Sequence, residues 1–214
     1  MAETKGLFVT FEGIDFSGKT TQISLLRDRL LEAGLDVLVV REPGGTAISE
    51  KIRTILLDRD HDALSERAEI FLYSAARAQI VDEQIVPALQ QGKVILCDRY
   101  FDSTTAYQGY GRGLDLTIVD TINSFATNGL EPDITFLLDI APEMAARRRV
   151  AQGAAPDRME LQAGAFHQRV REGYLQISRK HSHRFRVLDA ARATQDLAAE
   201  IWETIRQTIP PSQQ

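Results

Sequence analysis

Five short apolar runs divide the chain, and longer segments separate them. Runs of this length and hydrophobicity are typical of β-strands. The second run is uniformly apolar, so we expect it to be a parallel strand buried on both faces of a sheet. The predicted strands cover residues 7–11, 37–40, 93–97, 134–138 and 185–188.

In the segments between these runs, apolar residues recur every three or four positions, which predicts helices. Gly34 is a plausible C-terminal stop for the first helix. The second helix carries Ile48, Ile52, Ile55 and Leu56 on one face. The predicted helices cover residues 21–33, a segment from about 47, and residues 65–91, 117–127, 142 onward, 166–181 and 194–208.

Residues at the ends of three helices add detail. Ser65 is predicted as the N-cap of the long third helix, which Pro87 could kink or divide. Thr117, with Asp120 three residues later, resembles a capping box. Pro142 fits the first position of the next helix.

Alternating strands and helices predict an α/β fold, in which helices cover both faces of a parallel sheet. The length suits one domain, residues 1–214. The polar, glycine-marked segment 102–113 is predicted to be a loop with helical pieces. Residues 142–160, which are interrupted by glycine and proline at 153–156, are predicted to form a mobile lid.

Residues 13–20 match the phosphate-binding pattern G-x-x-x-x-G-K-[ST]. A predicted strand precedes them and a predicted helix follows, which is the required order. Backbone N–H groups of such a loop converge on phosphate oxygens, and the helix N-terminus adds partial positive charge. The predicted nucleoside triphosphate site consists of Gly13, Ile14, Asp15, Phe16, Ser17, Gly18, Lys19, Thr20 and Thr21. Lys19 would contact the β- and γ-phosphates, and Thr20 would hold Mg²⁺.

Composition restricts the class of protein. The chain has 43% hydrophobic and 26% charged residues, a composition that is typical of a soluble globular protein. A net charge of −5 argues against sequence-independent nucleic-acid binding, and no apolar run approaches the length of a membrane span. The N-terminus has no signal-peptide pattern, and Cys97 has no disulfide partner. We therefore expect a cytoplasmic protein with neither nucleic acid nor membrane as partner.

Charged residues follow the other predicted strands. Because ligands bind at the carboxyl ends of parallel strands, these residues should meet the P-loop. Asp98 is expected at the position where a carboxylate orients the Mg²⁺ shell, often through water, although an ion pair with Arg99 would also explain it. Arg41 and Arg99 could clamp a second phosphate. A second anion implies a phosphorylated acceptor.

Several motifs in order resemble bacterial thymidylate kinases, over nearly the whole chain. They are Phe-Glu-Gly-Ile-Asp at 11–15 with the P-loop, Arg-Glu-Pro-Gly-Gly-Thr at 41–46, Ala-Ala-Arg at 75–77, Asp-Arg-Tyr at 98–100 with Ser103, Ala-Tyr-Gln-Gly at 106–109 and Asp-Arg at 157–158. The resemblance implies a P-loop kinase-like three-layer fold with a five-stranded parallel sheet and a helical lid. It also implies transfer of the ATP γ-phosphoryl group to dTMP with Mg²⁺, and a homodimer in which the helix over 65–91 is a plausible interface element.

The resemblance further implies roles for individual residues. Asp15 would accept a hydrogen bond from the nucleotide 3′-hydroxyl, and Arg41 and Arg99 would hold the dTMP phosphate. Tyr73 would lie against the thymine, and Tyr107 would pack where a ribose 2′-hydroxyl would sit. The remaining implied base contacts are Arg77 and Thr104, and Gln108 is a further candidate for lining the substrate pocket. Without the resemblance, both tyrosines would be read as core aromatics.

The sequence does not identify which arginine of the lid is catalytic. Some relatives carry an arginine after the P-loop acidic residue, where this chain has Phe16. The candidates are Arg148, Arg149 and Arg158, with Arg147 less favoured. For Arg147, Arg148 and Arg149 taken singly, a solvated helix face is the preferred interpretation, and Arg158 could anchor the lid through Asp157. Lys19, Asp98 and Arg99 complete the predicted catalytic set.

Two other functions remain open at this point. One is a kinase for a different nucleoside monophosphate. The other is a nucleotide-dependent switch that recruits a partner, against which Arg41, Arg77 and Arg99 count, because a switch needs no second anion pocket.

Overall fold

A five-stranded parallel sheet with the strand order β2-β3-β1-β4-β5 organises the protein. The structure, a computed structural model, describes residues 6–209; the remaining ends of the predicted domain, residues 1–5 and 210–214, lie outside the described residues. The strands are β1 (Leu7–Glu12), β2 (Val37–Arg41), β3 (Val94–Asp98), β4 (Ile134–Asp139) and β5 (Phe185–Asp189).

Helices cover both faces of this sheet. They are α1 (Lys19–Glu32), α2 (Ala47–Leu57), α3 (Glu66–Ile80), α4 (Val86–Gln90), α5 (Phe101–Thr104), α6 (Leu116–Thr127), α7 (Pro142–Ala151), α8 (Gly164–Lys180) and α9 (Thr194–Thr208). No helix within residues 6–209 combines the length and hydrophobicity that crossing a bilayer requires.

The alternating side chains of the strands feed two apolar cores. Phe8 of β1 and Ile95 of β3 pack with Ile80 and Ile85 on one face. On the other face, a larger core contains Val9 and Phe11 of β1. Its helical members include Ile23 and Leu26 of α1, Val170 and Tyr174 of α8, and Ile201 and Ile205 of α9. The predicted three-layer α/β architecture is therefore confirmed.

The prediction that the second strand is buried on both faces was wrong. β2 is parallel, but it lies at the edge of the sheet, and Val39 is 41% exposed. The apolar sequence of β2 therefore does not indicate a central position in the sheet. The predicted apolar face of α2 was also wrong, because Ile48 and Ile55 are exposed while Ser49 and Leu56 are buried.

Two helix starts were tested by cap geometry. Ser65 is the N-cap of α3, as predicted, and its side chain accepts a hydrogen bond from the Ala68 N–H. The capping box at Thr117 was wrong: Asp115 caps α6 and accepts from the backbone N–H groups of Thr117 and Ile118.

The helices also continue where loops or kinks were predicted. A π-helical segment, Val81–Ile85, joins α3 to α4, so that Pro87 lies at the start of a helical stretch and no break occurs there. A second π-helical segment, Thr105–Gly111, follows α5 directly. The segment predicted as a loop is thus largely helical, and it holds its side chains on a rigid support beside the carboxyl end of β3.

Candidate active site

The P-loop connects β1 to α1, and its glycines are required by geometry. Gly13 and Gly18 have φ of 132° and 101°, which L side chains rarely adopt. A Cβ atom on Gly13 would also lie 2.5 Å from the Leu138 carbonyl oxygen. Gly18 directly precedes α1. The N-terminus of α1 and the backbone N–H groups of the P-loop therefore lie next to each other, as in other phosphate-binding sites.

Lys19 is held inside this loop. Its ammonium donates to the carbonyl oxygens of Gly13 and Ile14, at 3.2 and 3.1 Å. Burial lowers its pKa, and the charge of Arg99 acts in the same direction, whereas neighbouring carboxylates oppose the shift. A buried ammonium with only two carbonyl partners has a third N–H available for a phosphate oxygen.

Thr20 and Asp98 are adjacent, as the Mg²⁺ prediction requires. The Thr20 hydroxyl donates to Asp98 Oδ2 at 2.8 Å, and β3 carries Asp98 beside Phe11 of β1. Hydroxyl and carboxylate oxygens suit Mg²⁺, which is usually bound by one or two protein ligands together with substrate phosphates. Among residues 6–209, no group of three or more His, Cys, Asp or Glu side chains could hold a metal by itself.

Arg99 occupies the centre of the site. Its guanidinium donates to Asp15 Oδ1 at 2.6 Å and to the Gly13 carbonyl oxygen at 2.8 Å. The Tyr107 hydroxyl lies 3.3 Å from both the guanidinium and Asp15 Oδ2. Burial raises the pKa of Asp15, but the charges of Arg99 and Lys19 outweigh it and hold that pKa well below its usual range. Asp15 is thus an ionised acceptor.

A buried carboxylate supports Arg99 from behind. Glu12 accepts hydrogen bonds from the Tyr100 backbone N–H, the Ser103 hydroxyl and the Tyr174 hydroxyl, at 2.7, 2.6 and 2.8 Å. The two hydroxyls in turn lie within 3.3 Å of Arg99 Nη1. Burial, with a smaller effect from a nearby aspartate, raises the pKa of Glu12 to about 7. Arg99 has φ of 72°, a strained conformation that this network holds in place.

Two cavities meet at these residues. The P-loop cavity has a volume of about 670 Å³, within the usual range for small-molecule sites. Of the residues predicted to bind the triphosphate or Mg²⁺, those that line it are Asp15, Phe16, Ser17, Gly18, Lys19, Thr20, Thr21 and Asp98. Gly13 and Ile14 do not line it, and their carbonyl oxygens accept the hydrogen bonds of Lys19.

The second cavity, here called the α3 cavity, lies between α3, the helical segment after β3 and residues 157–159 of the predicted lid. Seven predicted substrate contacts line it: Asp15, Tyr73, Arg77, Arg99, Thr104, Tyr107 and Gln108. Asp15, Glu42, Arg53 and Arg99 line both cavities. Apart from Arg41, the substrate contacts predicted from the sequence therefore lie together around one cavity.

Arg41 is placed differently from the other predicted substrate contacts. It lines only the P-loop cavity, and its guanidinium forms two hydrogen bonds with Glu50, at 2.9 and 3.0 Å. Both side chains are nearly half exposed.

Arg53 is a site residue that the sequence analysis missed. It lines both cavities and donates to the Pro43 carbonyl oxygen at 2.9 Å. The available signal was a cation in the helix that follows Arg41, and only the packing of α2 against α3 shows that this cation faces the cavities.

Arg77 has protein partners that the sequence did not reveal. It is 2% exposed, and its Nε donates to Glu42 at 2.7 Å, while Nη1 reaches Thr104 and Asn123 at 2.9 and 3.3 Å. Nη2 donates to the Tyr100 carbonyl oxygen. A buried arginine requires a partner, and Glu42, 35 positions earlier in the sequence, supplies the charge.

The lid arginines have three distinct environments. Arg148 donates to the carbonyl oxygens of Phe16, Ser17 and Ala190, so it lies against the P-loop. Arg158 is 5% exposed and pairs with Glu69 at 2.6 Å.

The side chain of Arg149 makes no hydrogen bond or ion pair with any residue in 6–209, although its charge opposes the rise in the pKa of Glu160. Burial, followed by Asp157 and Asp15, raises that pKa to about 7. Arg147 is exposed. The anchoring alternative for Arg158 therefore has a partner, but that partner is Glu69 and not Asp157.

The parallel sheet, the P-loop with its hydroxyl–carboxylate pair, and a second cavity rich in arginine define a P-loop phosphotransferase of the nucleoside monophosphate kinase type. The family model for "Thymidylate kinase" matches residues 11–201. The chain belongs to the thymidylate kinase family.

Individual relatives agree with this membership. A thymidylate kinase of Chlorobium phaeobacteroides is 48% identical over 212 residues, which cover 95% of this chain and 96% of the relative. One of Geotalea daltonii is 50% identical over 190 residues, 86% and 89% of the two chains. The crystal structure of thymidylate kinase from Ehrlichia chaffeensis superposes with a TM-score of 0.76 at 34% identity, covering 94% of this chain and 99% of that one.

Proposed function

We propose that the protein transfers the γ-phosphoryl group of ATP to dTMP, giving dTDP and ADP. One observation carries this proposal: the Asp15–Arg99 pair forms a wall common to the P-loop cavity and the α3 cavity. A triphosphate in the first and a nucleoside monophosphate in the second would bring donor and acceptor phosphates together there. Proximity of this kind is a large part of phosphoryl-transfer catalysis.

On the donor side, the P-loop backbone and Lys19 would hold the β- and γ-phosphates. Thr20 and Asp98 would hold Mg²⁺, Asp98 through water where direct contact is not made, and the ion would neutralise phosphate charge. These two residues are already oriented towards each other, so little rearrangement is required.

On the acceptor side, Arg99 would bind the dTMP phosphate and Asp15 the 3′-hydroxyl. Tyr73, Arg77, Thr104 and Gln108 would surround the thymine. Tyr107 would occupy the space of a ribose 2′-hydroxyl and so favour a deoxynucleotide. We add Arg53 to the phosphate-binding group, because it lines both cavities. Binding of the dTMP phosphate by Arg41 stays a prediction, because the ion pair between Arg41 and Glu50 would first have to open.

The reaction would be a direct in-line transfer. An oxygen of the dTMP phosphate attacks the γ-phosphorus, and the bond from that phosphorus to the bridging oxygen of ADP breaks. An ionised phosphate is already nucleophilic, so no general base is required. Arg148 lines the P-loop cavity, but its guanidinium is bound to backbone carbonyl groups, and Arg158 is bound to Glu69. We therefore assign the catalytic role to Arg149, whose side chain has no such partner within residues 6–209.

We also propose that the enzyme is a cytoplasmic homodimer. Helix α3 packs between α2 and α6, and all three carry exposed apolar side chains. Phe71 is 61% exposed and Phe125 90% exposed. A Phe71→Asp/Phe125→Asp variant that runs as a monomer on size exclusion, against a wild-type dimer, supports this assembly; a wild-type monomer contradicts it.

Two measurements test the proposed activity against a nucleotide switch. Chromatography of a reaction containing ATP, Mg²⁺ and dTMP should yield dTDP and ADP in equal amounts. In addition, dTMP alone should raise the melting temperature, because a ligand that binds the folded state stabilises it. A protein that binds ATP but neither binds nor phosphorylates dTMP would instead be the switch.

A further inference from the structure

Glu69 is a buried carboxylate of α3 to which the mechanism above gives no role. It is 0% exposed and lies one helical turn before Tyr73. Gln108 Nε2 and Arg112 Nε donate to its Oε1, at 2.9 and 3.2 Å. Arg112 Nη2 and Arg158 Nη2 donate to its Oε2, at 3.1 and 2.6 Å.

These contacts determine the charge of Glu69. Burial raises its pKa, but hydrogen bonds from Arg112 and Gln108, followed by the charge of Arg112 and a hydrogen bond from Arg158, outweigh burial and lower the pKa overall. The side chain is therefore an ionised carboxylate, which accepts hydrogen bonds and donates none.

The charge in turn determines how the Gln108 amide is oriented. An amide has a donating end and an accepting end, which coordinates alone rarely distinguish. A carboxylate neighbour settles the choice, since only the NH₂ end can bond to it. The Gln108 carbonyl oxygen therefore points away from Glu69. It accepts no hydrogen bond from residues 6–209, and the side chain lines the α3 cavity.

A fixed acceptor at this position distinguishes pyrimidines by their Watson–Crick edge. Thymine and uracil carry a hydrogen at N3, whereas N3 of cytosine is an acceptor. A carbonyl oxygen facing N3 pairs with the first two bases and opposes the third.

We propose that Glu69 is a positioning residue that fixes the Gln108 amide with its carbonyl oxygen towards the base, and thereby selects thymine and uracil over cytosine. This inference rests on the proposed function, since it assumes a pyrimidine monophosphate in the α3 cavity. Glu69 acts only through Gln108 and touches no substrate.

The variant Glu69→Gln should reverse the orientation. Its single carbonyl oxygen would be drawn to the position of Oε2, where both Arg112 and Arg158 donate, and not to that of Oε1, where Arg112 is the single arginine donor. Its NH₂ group would then face Gln108, whose amide must turn its own carbonyl oxygen towards residue 69. The Gln108 NH₂ group would face the base and favour cytosine.

The experiment measures inhibition constants of dUMP and dCMP against dTMP phosphorylation. These two nucleotides both lack the thymine methyl group and differ only at the N3–C4 edge. The wild type should bind dUMP more tightly, and Glu69→Gln should reduce the dUMP preference by about ten-fold or more, the effect of one mismatched buried hydrogen bond. In the double variant Glu69→Gln/Gln108→Leu, the preference should be no lower than in Gln108→Leu alone.

Arg112→Met is the matched control. It removes a different partner of Glu69 but leaves the carboxylate facing Gln108, so the dUMP preference should persist. Loss of a buried carboxylate beside two arginines could prevent folding of Glu69→Gln, which a thermal melt reveals. In that case Glu69→Gln/Arg112→Met, which removes one positive charge as well, serves as the test variant.

The outcomes separate the two claims. A wild-type enzyme that does not phosphorylate dTMP contradicts the proposed function. A wild-type enzyme that phosphorylates dTMP, together with a folded Glu69→Gln variant that keeps the wild-type dUMP preference, overturns the positioning role. Equal loss of preference in Arg112→Met also overturns it, because any disturbance of the cluster would then suffice.

Discussion

Arg99 donates to Asp15 over 2.6 Å, and this pair joins the carboxyl end of β3 to the P-loop. It is 84 positions apart in sequence and lines both cavities. Asp15 therefore belongs to the P-loop but faces the α3 cavity, which is the proposed acceptor site. Binding of the two substrates is expected to be coupled through this contact.

The variant Asp15→Asn tests the placement of Asp15 on the acceptor side. It keeps the size of the side chain but removes the charge that Arg99 and Lys19 face. We expect the KM for dTMP to rise by about ten-fold or more, since hydrogen bonds to charged groups contribute about 1.5–3 kcal/mol, with a smaller rise in the KM for ATP. Asp28→Asn is the control, because Asp28 is also paired with an arginine at 2.6 Å but lies exposed on α1. Equal rises in both KM values would contradict the placement of Asp15.

The lid arginines should separate into a catalytic and a structural residue. Arg149→Ala should lower kcat more than it raises the KM for dTMP and leave the melting temperature unchanged. Arg158→Ala should lower the melting temperature, because loss of one partner from a buried ion pair costs about 3–5 kcal/mol. Steady-state kinetics and thermal melts of both variants check this. An unchanged kcat in Arg149→Ala would remove that residue from the mechanism.

Thr20 and Asp98 should control the requirement for Mg²⁺. Thr20→Val and Asp98→Asn are each expected to raise the Mg²⁺ concentration that gives half-maximal activity, because each removes one oxygen of the proposed ligand set. Thr204→Val is a control, since its hydroxyl donates to the Glu200 carbonyl oxygen on an exposed part of α9. Mg²⁺ titrations that coincide for all four proteins would contradict the assignment.

The free energy of unfolding should decrease as the pH rises, because the buried carboxyl group of Glu12 then loses its proton. Its pKa is raised from 4.5 to about 7, so the folded state binds its proton more tightly than the unfolded state does. Protonation therefore stabilises the fold below about pH 4.5, and that contribution is lost between there and about pH 7.

Melting temperatures at pH 5 and pH 8 measure this effect. Glu160 contributes with the same sign, whereas Asp15 acts at lower pH, so Glu12→Gln should reduce the difference between the two melting temperatures without abolishing it. A difference unchanged in Glu12→Gln would mean that Glu12 does not titrate in this range.

Local sequence patterns were sufficient to predict most of the fold. The predicted strands agree with the observed strands to within one residue at each end, and the last helix agrees at both ends. Hydrophobic periodicity reports burial by neighbouring elements, and parallel strands have few ways to be arranged. The pattern could not place β2 at the sheet edge, because strand order depends on contacts between distant segments.

For the site too, local sequence identified some residues, whereas contacts between distant residues could not be predicted. A contiguous motif identified the P-loop, and the strand ends identified Asp98 and Arg99. The partners of buried charges were not predictable, since Glu42, directly after β2, and Glu69, on α3, are ordinary acidic residues until the fold places Arg77 and Arg158 against them. Arg53 was missed for the same reason.

The central claim is that the α3 cavity accepts dTMP and that the P-loop supplies the phosphoryl group. ADP release in the presence of ATP and Mg²⁺ should be measured with dTMP, dUMP, dCMP, dGMP and UMP in turn. We expect the highest kcat/KM for dTMP, a lower value for dUMP, and little release with UMP or dGMP, because Tyr107 and the lining of the α3 cavity oppose them. Turnover of dGMP equal to or faster than that of dTMP would contradict the account.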